Sequence, residues 1–292
     1  MLIRKGDTGE DVRQIQRELD IEADGIFGPI TESAVMRFQA ESTLEIDGIV
    51  GPKTWAELFG LTTDIQESLD SQHGIVINHH ILPKGEYLKG PTKKQWLFLH
   101  HTAGWHNPYR TIDHWGRDSR GRIATEFVLG GPSIFNDEFK YDGEIVKCIP
   151  DGGYAWHLGR NGFQEMHTNS VGIEVCNFGY LKDGKTYAGH TVHPNHSVEL
   201  SKEFKGYKNW HRYSDAQIES LRKLILFIAD RDNIDVREGL PALIKEKGAN
   251  AFEWNREAYY GHVRGLLSHS NTNKGKSDMF PQEELLTMLT EL

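Results

Sequence analysis

Cysteine is nearly absent from this chain, with two residues, Cys148 and Cys176, in 292. Two thiols cannot build a disulfide framework, and neither sits in the paired spacing of a structural zinc site. Long apolar runs are also missing. Nothing approaches the ~18 residues that cross a bilayer, so membrane insertion is not expected. The opening MLIRKGDTGEDV turns polar after Ile3 and lacks the apolar stretch of ~7 to 15 residues that marks a secretory signal. The expectation is therefore a chain without a signal peptide. Positive charge is in short supply, since 33 Lys and Arg face 42 Asp and Glu for a net charge of -9. Duplex binding displaces counterions with clustered cations, which excludes nucleic acid as the expected partner. An uncharged or mixed-charge polymer suits this balance better.

The hydrophobic share of 38% and charged share of 26% are ordinary for globular proteins. The length suggests two domains at ~150 residues each. An internal echo marks the first: DGIFGPITESA from Asp24 returns as DGIVGPKTWAE from Asp47. Repetition of this kind signals a repeated structural unit. In each copy Asp-Gly makes a tight turn, Pro suits a first helical turn, and Thr31 or Thr54 stands near a helix start. Val12, Ile15, Leu19 and Ile21 form an amphipathic segment ahead of the copies, while Ala34, Phe38 and Leu44 lie between them. Three short helices around a small core are predicted over residues 1–60. The polar stretch TTDIQESLDSQH places a linker at 61–74.

From residue 75 to 292, short apolar strands alternate with helical patterns, which predicts an α/β domain with a mixed central sheet flanked by helices. Trp96 to His100, Phe127 to Leu129, Ile145 to Ile149, Val171 to Val175 and Gly265 to Ser268 read as buried strands. A helix is predicted after Ser214, which has capping-box spacing with Gln217. Ile218, Leu221, Ile225 and Ile228 recur on one face of it.

Three polar clusters fall in or at the ends of these strands: FLHHTAGW, NSVGIEVCNFG and GLLSHSNTNKGKSDMFP. A sheet can bring such distant segments into one cleft. Catalytic zinc takes three imidazole or carboxylate ligands and keeps a fourth position for water, and His100, His269 and Asp278 offer that set. Glu174 is the candidate general base for the attacking water. Lys276, two residues before Asp278, is the candidate cation for the developing oxyanion.

These motifs resemble known families. Residues 2 to 60, with the opening LIRKGDTGEDVRQIQREL and the echo, resemble the peptidoglycan-binding module of wall hydrolases. Residues 90 to 285 look like the type 2 N-acetylmuramoyl-L-alanine amidases, the fold shared by phage amidase lysins and peptidoglycan recognition proteins. The resemblance implies that His100, rather than His101, binds Zn2+ together with His269 and Asp278. It also implies that Glu174, in Val171-Gly172-Ile173-Glu174, assists water. Trp156-His157-Leu158-Gly159 matches a segment near the family's substrate groove. His157, Asn177 and His101 are accordingly expected to contact substrate. Some relatives carry a tyrosine where this chain has Thr125 followed by Glu126, which adds weight to Glu174.

The implied reaction is hydrolysis of the amide between N-acetylmuramic acid and L-alanine, by a lysin that waits in the host cytoplasm and acts at the bacterial wall. A non-catalytic recognition protein is the alternative, and a cytoplasmic recycling amidase is a third reading. The pair His79 and His80 reads as structural, and His190, His193 and His196 read as a solvated loop. A thiol role for Cys176 finds no matching histidine motif. The segment from Tyr180 to Tyr213 is longer than the fold needs and is expected to border the groove.

Overall fold

The computed structural model describes residues 2–42, 44–59, 73–135, 138–159 and 164–292. Three helices open the chain: α1 (Glu10–Glu18), α2 (Pro29–Glu41) and α3 (Pro52–Phe59). Pro29 and Pro52 each stand first in their helix, where the missing N–H is no loss. Val12, Ile15, Phe27, Val35, Val50 and Trp55 form their buried core.

The echo has a structural cause that the motif alone did not reveal. The side-chain amide of Gln16 donates to Asp24 Oδ1 at 2.7 Å, to the Ile26 carbonyl at 3.0 Å and to Thr31 Oγ1 at 3.0 Å. Its oxygen accepts from the Gly25 N–H at 2.8 Å. Gln39 repeats the pattern with Asp47, Ile49, Thr54 and Gly48, at 2.8, 3.0, 3.1 and 2.9 Å. Each buried amide satisfies a turn that would otherwise leave polar groups unpaired. Gly25 and Gly48 take φ of 78° and 71°, a region that glycine enters without strain.

Residues 61 to 72 of the expected linker lie outside the described residues. Beyond it, Gln14 of α1 meets His80 Nδ1 at 3.0 Å, and His80 Nε2 meets Asp113 Oδ1 at 2.7 Å. His80 thus joins the helical module to the domain that follows.

That domain is built on a six-stranded sheet. Its strands are β1 (Ile77–His79), β2 (Trp96–His101), β3 (Phe127–Leu129), β4 (Ile145–Lys147), β5 (Ser170–Val175) and, near the end of the chain, Gly265–Ser268. The spatial order is β1, β4, β3, β5, β2 and then the last strand. All pairs are parallel except β3 with β4. All six residues of β2 are buried, as expected of a central parallel strand covered on both faces. The expected strand from Ile145 to Ile149 stops at Lys147.

The segment after β5 is not a simple loop. It forms an antiparallel hairpin of β6 (Ser197–Phe204) and β7 (Tyr207–His211). The helix after Ser214 runs from Asp215 to Asp232, with both capping-box hydrogen bonds in place. It ends at Asn233 in the left-handed conformation. Leu221, Leu224, Ile225, Phe227 and Ile228 bury its inner face against the sheet core. No described helix is long and apolar enough to cross a membrane.

Candidate active site

Two adjacent strands deliver the first part of the site. His100, next to last in β2, pairs in register with Glu174 of β5. The last sheet strand ends at Ser268, which caps a short helix, His269–Thr272, through a capping box with Asn271. His269 is therefore fixed as the first helical residue. Asn271 anchors this turn by donating to the Ala251 carbonyl at 2.7 Å, and Ser270 donates to the carbonyls of Phe252 and Asp278 at 2.7 and 3.2 Å. The Ser270 bond ties the Asp278 backbone beside His269. Met279, next in the chain, takes φ of 54°, a strained state that functional sites tend to hold.

The result is a buried triangle. His100 Nδ1 lies 3.1 Å from His269 Nδ1. Asp278 Oδ2 lies 3.0 Å from His269 Nδ1 and 3.5 Å from His100 Nδ1. Two imidazole nitrogens and a carboxylate oxygen converge on one point. Among the described residues this is the one group of three or more His, Cys, Asp or Glu side chains arranged to hold a metal ion. Ligands about 2.0–2.1 Å from a tetrahedral zinc stand roughly 3.3 Å apart, which the triangle matches. The buried His269 Nε2 has no hydrogen-bond partner among the described residues.

Electrostatics agree with the geometry. Burial pulls His100 down to about 4, against the pull of Asp278, so its imidazole is neutral and able to ligate. Burial would raise the Asp278 carboxyl, but the contacts from His100 and His269 outweigh it and hold the group well below the usual carboxylate range. Glu174 is pushed up to about 8 by burial and by Asp278, with Lys276 opposing. Lys276 is exposed, and its charge reaches Glu174 and both histidines of β2.

The residues expected to contact substrate each hold hydrogen bonds within the fold. His101 faces the interior, with Nδ1 3.0 Å from the Tyr213 hydroxyl. Asn177 is fully buried, donates to the His211 carbonyl at 2.8 Å and accepts from the Gly179 N–H at 2.7 Å. Asn177 thereby ties the segment after β5 to the hairpin, and His101 ties β2 to Tyr213, two residues beyond it. His157 packs behind His100, its Nδ1 3.0 Å from His100 Nε2. His100 and His101 point to opposite sides because alternate residues of a strand do so.

A cavity of about 430 Å³ opens beside Glu174, lined also by Trp105, Arg110, His114 and Tyr187. Tyr187 comes from the long segment expected to border the groove. His190 of the same segment is not simply solvated: its ring lies 4.8 Å from Trp105 and 5.6 Å from Phe135. His196 is buried. Glu126, beside the position of the relatives' tyrosine, pairs with Arg231 at 2.6 Å.

Comparison with known proteins identifies the family. The family model for N-acetylmuramoyl-L-alanine amidase matches residues 90–278. The chain belongs to that amidase family. A second model, for a peptidoglycan-binding domain, matches residues 8–58 of the amidase. The amidase is 40% identical over 20% of its length to a peptidoglycan-binding protein from Clostridioides difficile, covering 40% of that chain with a TM-score of 0.20. It is 35% identical to a Burkholderia AP3 phage endolysin over 26% of its length and 34% of that chain, with a TM-score of 0.20. The chain thus spans well under two thirds of both. The catalytic domain of XlyA is 12% identical over 70% of the amidase and 90% of that chain, with a TM-score of 0.39. No curated protein matches the chain.

Proposed function

We propose that this amidase holds one zinc ion with His100, His269 and Asp278 and hydrolyses the amide between N-acetylmuramic acid and the stem L-alanine of peptidoglycan. The observation that carries the reading is the convergence of His100 Nδ1, His269 Nδ1 and Asp278 Oδ2 within 3.5 Å of one another in the interior. When bound, the ion supplies Lewis acidity, polarising the scissile carbonyl and acidifying water. Glu174, register partner of His100, takes the proton from the attacking water and returns one to the leaving amine. Lys276 brings a positive charge to the oxyanion as it develops.

The N-terminal module, residues 1–60, holds the enzyme on the polymeric wall, a linker spans 61–74 and the catalytic domain spans 75–292, a division supported by helices that end at Phe59 and a sheet that begins at Ile77. Pairing a wall-binding module with an amidase suits a phage endolysin that leaves the host cytoplasm to meet the intact wall. Digestion of purified peptidoglycan followed by mass spectrometry tests the reaction. Release of stem peptides with a free L-alanine amine is expected, and intact muramoyl-alanine links with cuts elsewhere would remove the assignment. Faster cleavage of sacculi than of soluble muropeptides is expected of the endolysin setting.

A further inference from the structure

A chain of hydrogen bonds leads away from His100 into the interior. His100 Nε2 lies 3.0 Å from His157 Nδ1, and His157 Nε2 lies 2.7 Å from Ser170 Oγ. Ser170 Oγ in turn donates to the Met166 carbonyl. Met166 lies in the short helix Gln164–Thr168, and Ser170 meets its carbonyl four residues back, where a helix end leaves carbonyls unpaired.

This chain has one consistent direction when both imidazoles are neutral. A carbonyl only accepts, so the Ser170 hydroxyl spends its single proton there and must accept from His157 Nε2–H. A neutral imidazole carries one N–H, which leaves His157 Nδ1 bare to accept from His100 Nε2–H. His100 Nδ1 is then the nitrogen with the free lone pair. That is the atom facing His269 and Asp278.

Packing holds the arrangement. A Cβ placed on Gly172 would stand 2.8 Å from Thr125 Cγ2 and 3.1 Å from His157 Nδ1. The missing side chain at Gly172 is what lets His157 reach His100 across β5.

We propose that His157 is a positioning residue: with Ser170 and the Met166 carbonyl it locks His100 in the Nε2–H tautomer, so that Nδ1 is presented to the metal. This rests on the three-ligand reading above, yet it is testable without turnover. Outer partners of metal-bound histidines fix ring orientation and tautomer, and losing them weakens binding about 10- to 100-fold.

The test begins with the metal-free protein carrying 15N-labelled histidine. Long-range proton–nitrogen correlation spectra are expected to show His100 and His157 both as Nε2–H tautomers. An Nδ1–H tautomer at His157 would overturn the proposal, whatever the enzyme's activity. Zinc affinity is then measured by chelator competition in His157→Phe, His157→Asn and Ser170→Ala. Phenylalanine keeps the bulk but cannot accept, and its affinity is expected to fall about 10- to 100-fold. Asparagine carries an oxygen near the Nδ1 position and is expected to recover most of that loss. Ser170→Ala frees His157 to turn over its tautomer, so a mixed His100 spectrum and weaker zinc binding are expected. Wild-type affinity in a folded His157→Phe protein, or equal losses in the Phe and Asn variants, would sink the relay. A wild type that shows the expected tautomers but binds no zinc would instead refute the metal site and leave the relay standing.

Discussion

His100 and Glu174 face each other across adjacent parallel strands, as register partners in the centre of the sheet. Neighbouring strands lie about 4.7–4.9 Å apart, so the sheet itself sets the spacing between the proposed ligand histidine and the proposed base. His101, one residue on, points to the other side and meets Tyr213. One strand end therefore turns one histidine toward His269 and Asp278 and the next toward Tyr213.

Replacing Glu174 with glutamine keeps the shape and removes the base. Turnover is expected to fall by about 10²- to 10⁴-fold, the usual worth of a positioned proton acceptor. Zinc content by elemental analysis should stay at one per chain. A Glu174→Gln enzyme with near-normal turnover would remove this residue from the mechanism.

The raised Glu174 value also predicts how stability depends on pH in the metal-free protein. Its carboxyl rises from an ordinary 4.5 to about 8 on folding, so the folded state holds this proton more tightly than the unfolded chain does. The associated stability is fully present below pH 4.5 and is lost as the pH rises through 8. Glu174→Gln lacks this dependence. In urea unfolding, the variant should gain on the wild type between about pH 4.5 and 8 and hold a constant lead above. A bound cation lowers the Glu174 value, so loading with zinc should narrow the gap.

Lys276→Met removes the charge from an exposed position, where the fold does not depend on it. Loss of an oxyanion-stabilising group costs about 10²- to 10³-fold in kcat. The change should appear in kcat with KM nearly unchanged. An effect confined to KM would make Lys276 a substrate anchor instead.

The sequence made the site legible wherever local chemistry dictates position. Parallel strands are covered on both faces, so WLFLH, VGIEV and GLLS stand out as apolar runs with a polar residue at or next to their end. The capping box at Ser214 and Gln217 was visible for the same local reason. What escaped depends on partners far along the chain. His80 meets residues 66 and 33 positions away, and His157 meets His100 at a separation of 57. Gln16 and Gln39 look like ordinary polar helix residues, yet they share the 23-residue offset of the Asp24 and Asp47 turns. Extending the echo backwards to include them would have found both.

Those two glutamines carry a prediction for the wall-binding module. Each buried amide makes four bonds with its turn, and removing it leaves buried partners unpaired. The cost of such a loss is about 1–3 kcal/mol per orphaned group. Gln16→Ala and Gln39→Ala should each destabilise the helical module by at least that much in urea melts followed by helical circular dichroism. Peptidoglycan pull-down should weaken in step. Near-wild-type melts would mean that water replaces the amide at little cost.

A buried charge network around Glu126 sets the last prediction. Glu126 lies 2.6 Å from Arg231 and 3.7 Å from Lys147, which also pairs with Asp151. Lys147 is 2% exposed, so its charge depends on these carboxylates rather than on water. Without Glu126, Arg231 keeps Asp232 and Lys147 keeps Asp151, so the loss is that of buried hydrogen-bonding partners, about 1–3 kcal/mol, and not of a stranded charge. Glu126→Ala should therefore lower stability by that amount, while the activity of whatever protein remains folded stays close to normal, because the network does not touch the metal ligands. Chemical denaturation read beside specific activity per folded molecule separates the two effects. A stable Glu126→Ala protein that has lost turnover would give Glu126 a place in the chemistry and revive the relatives' tyrosine position as a catalytic one.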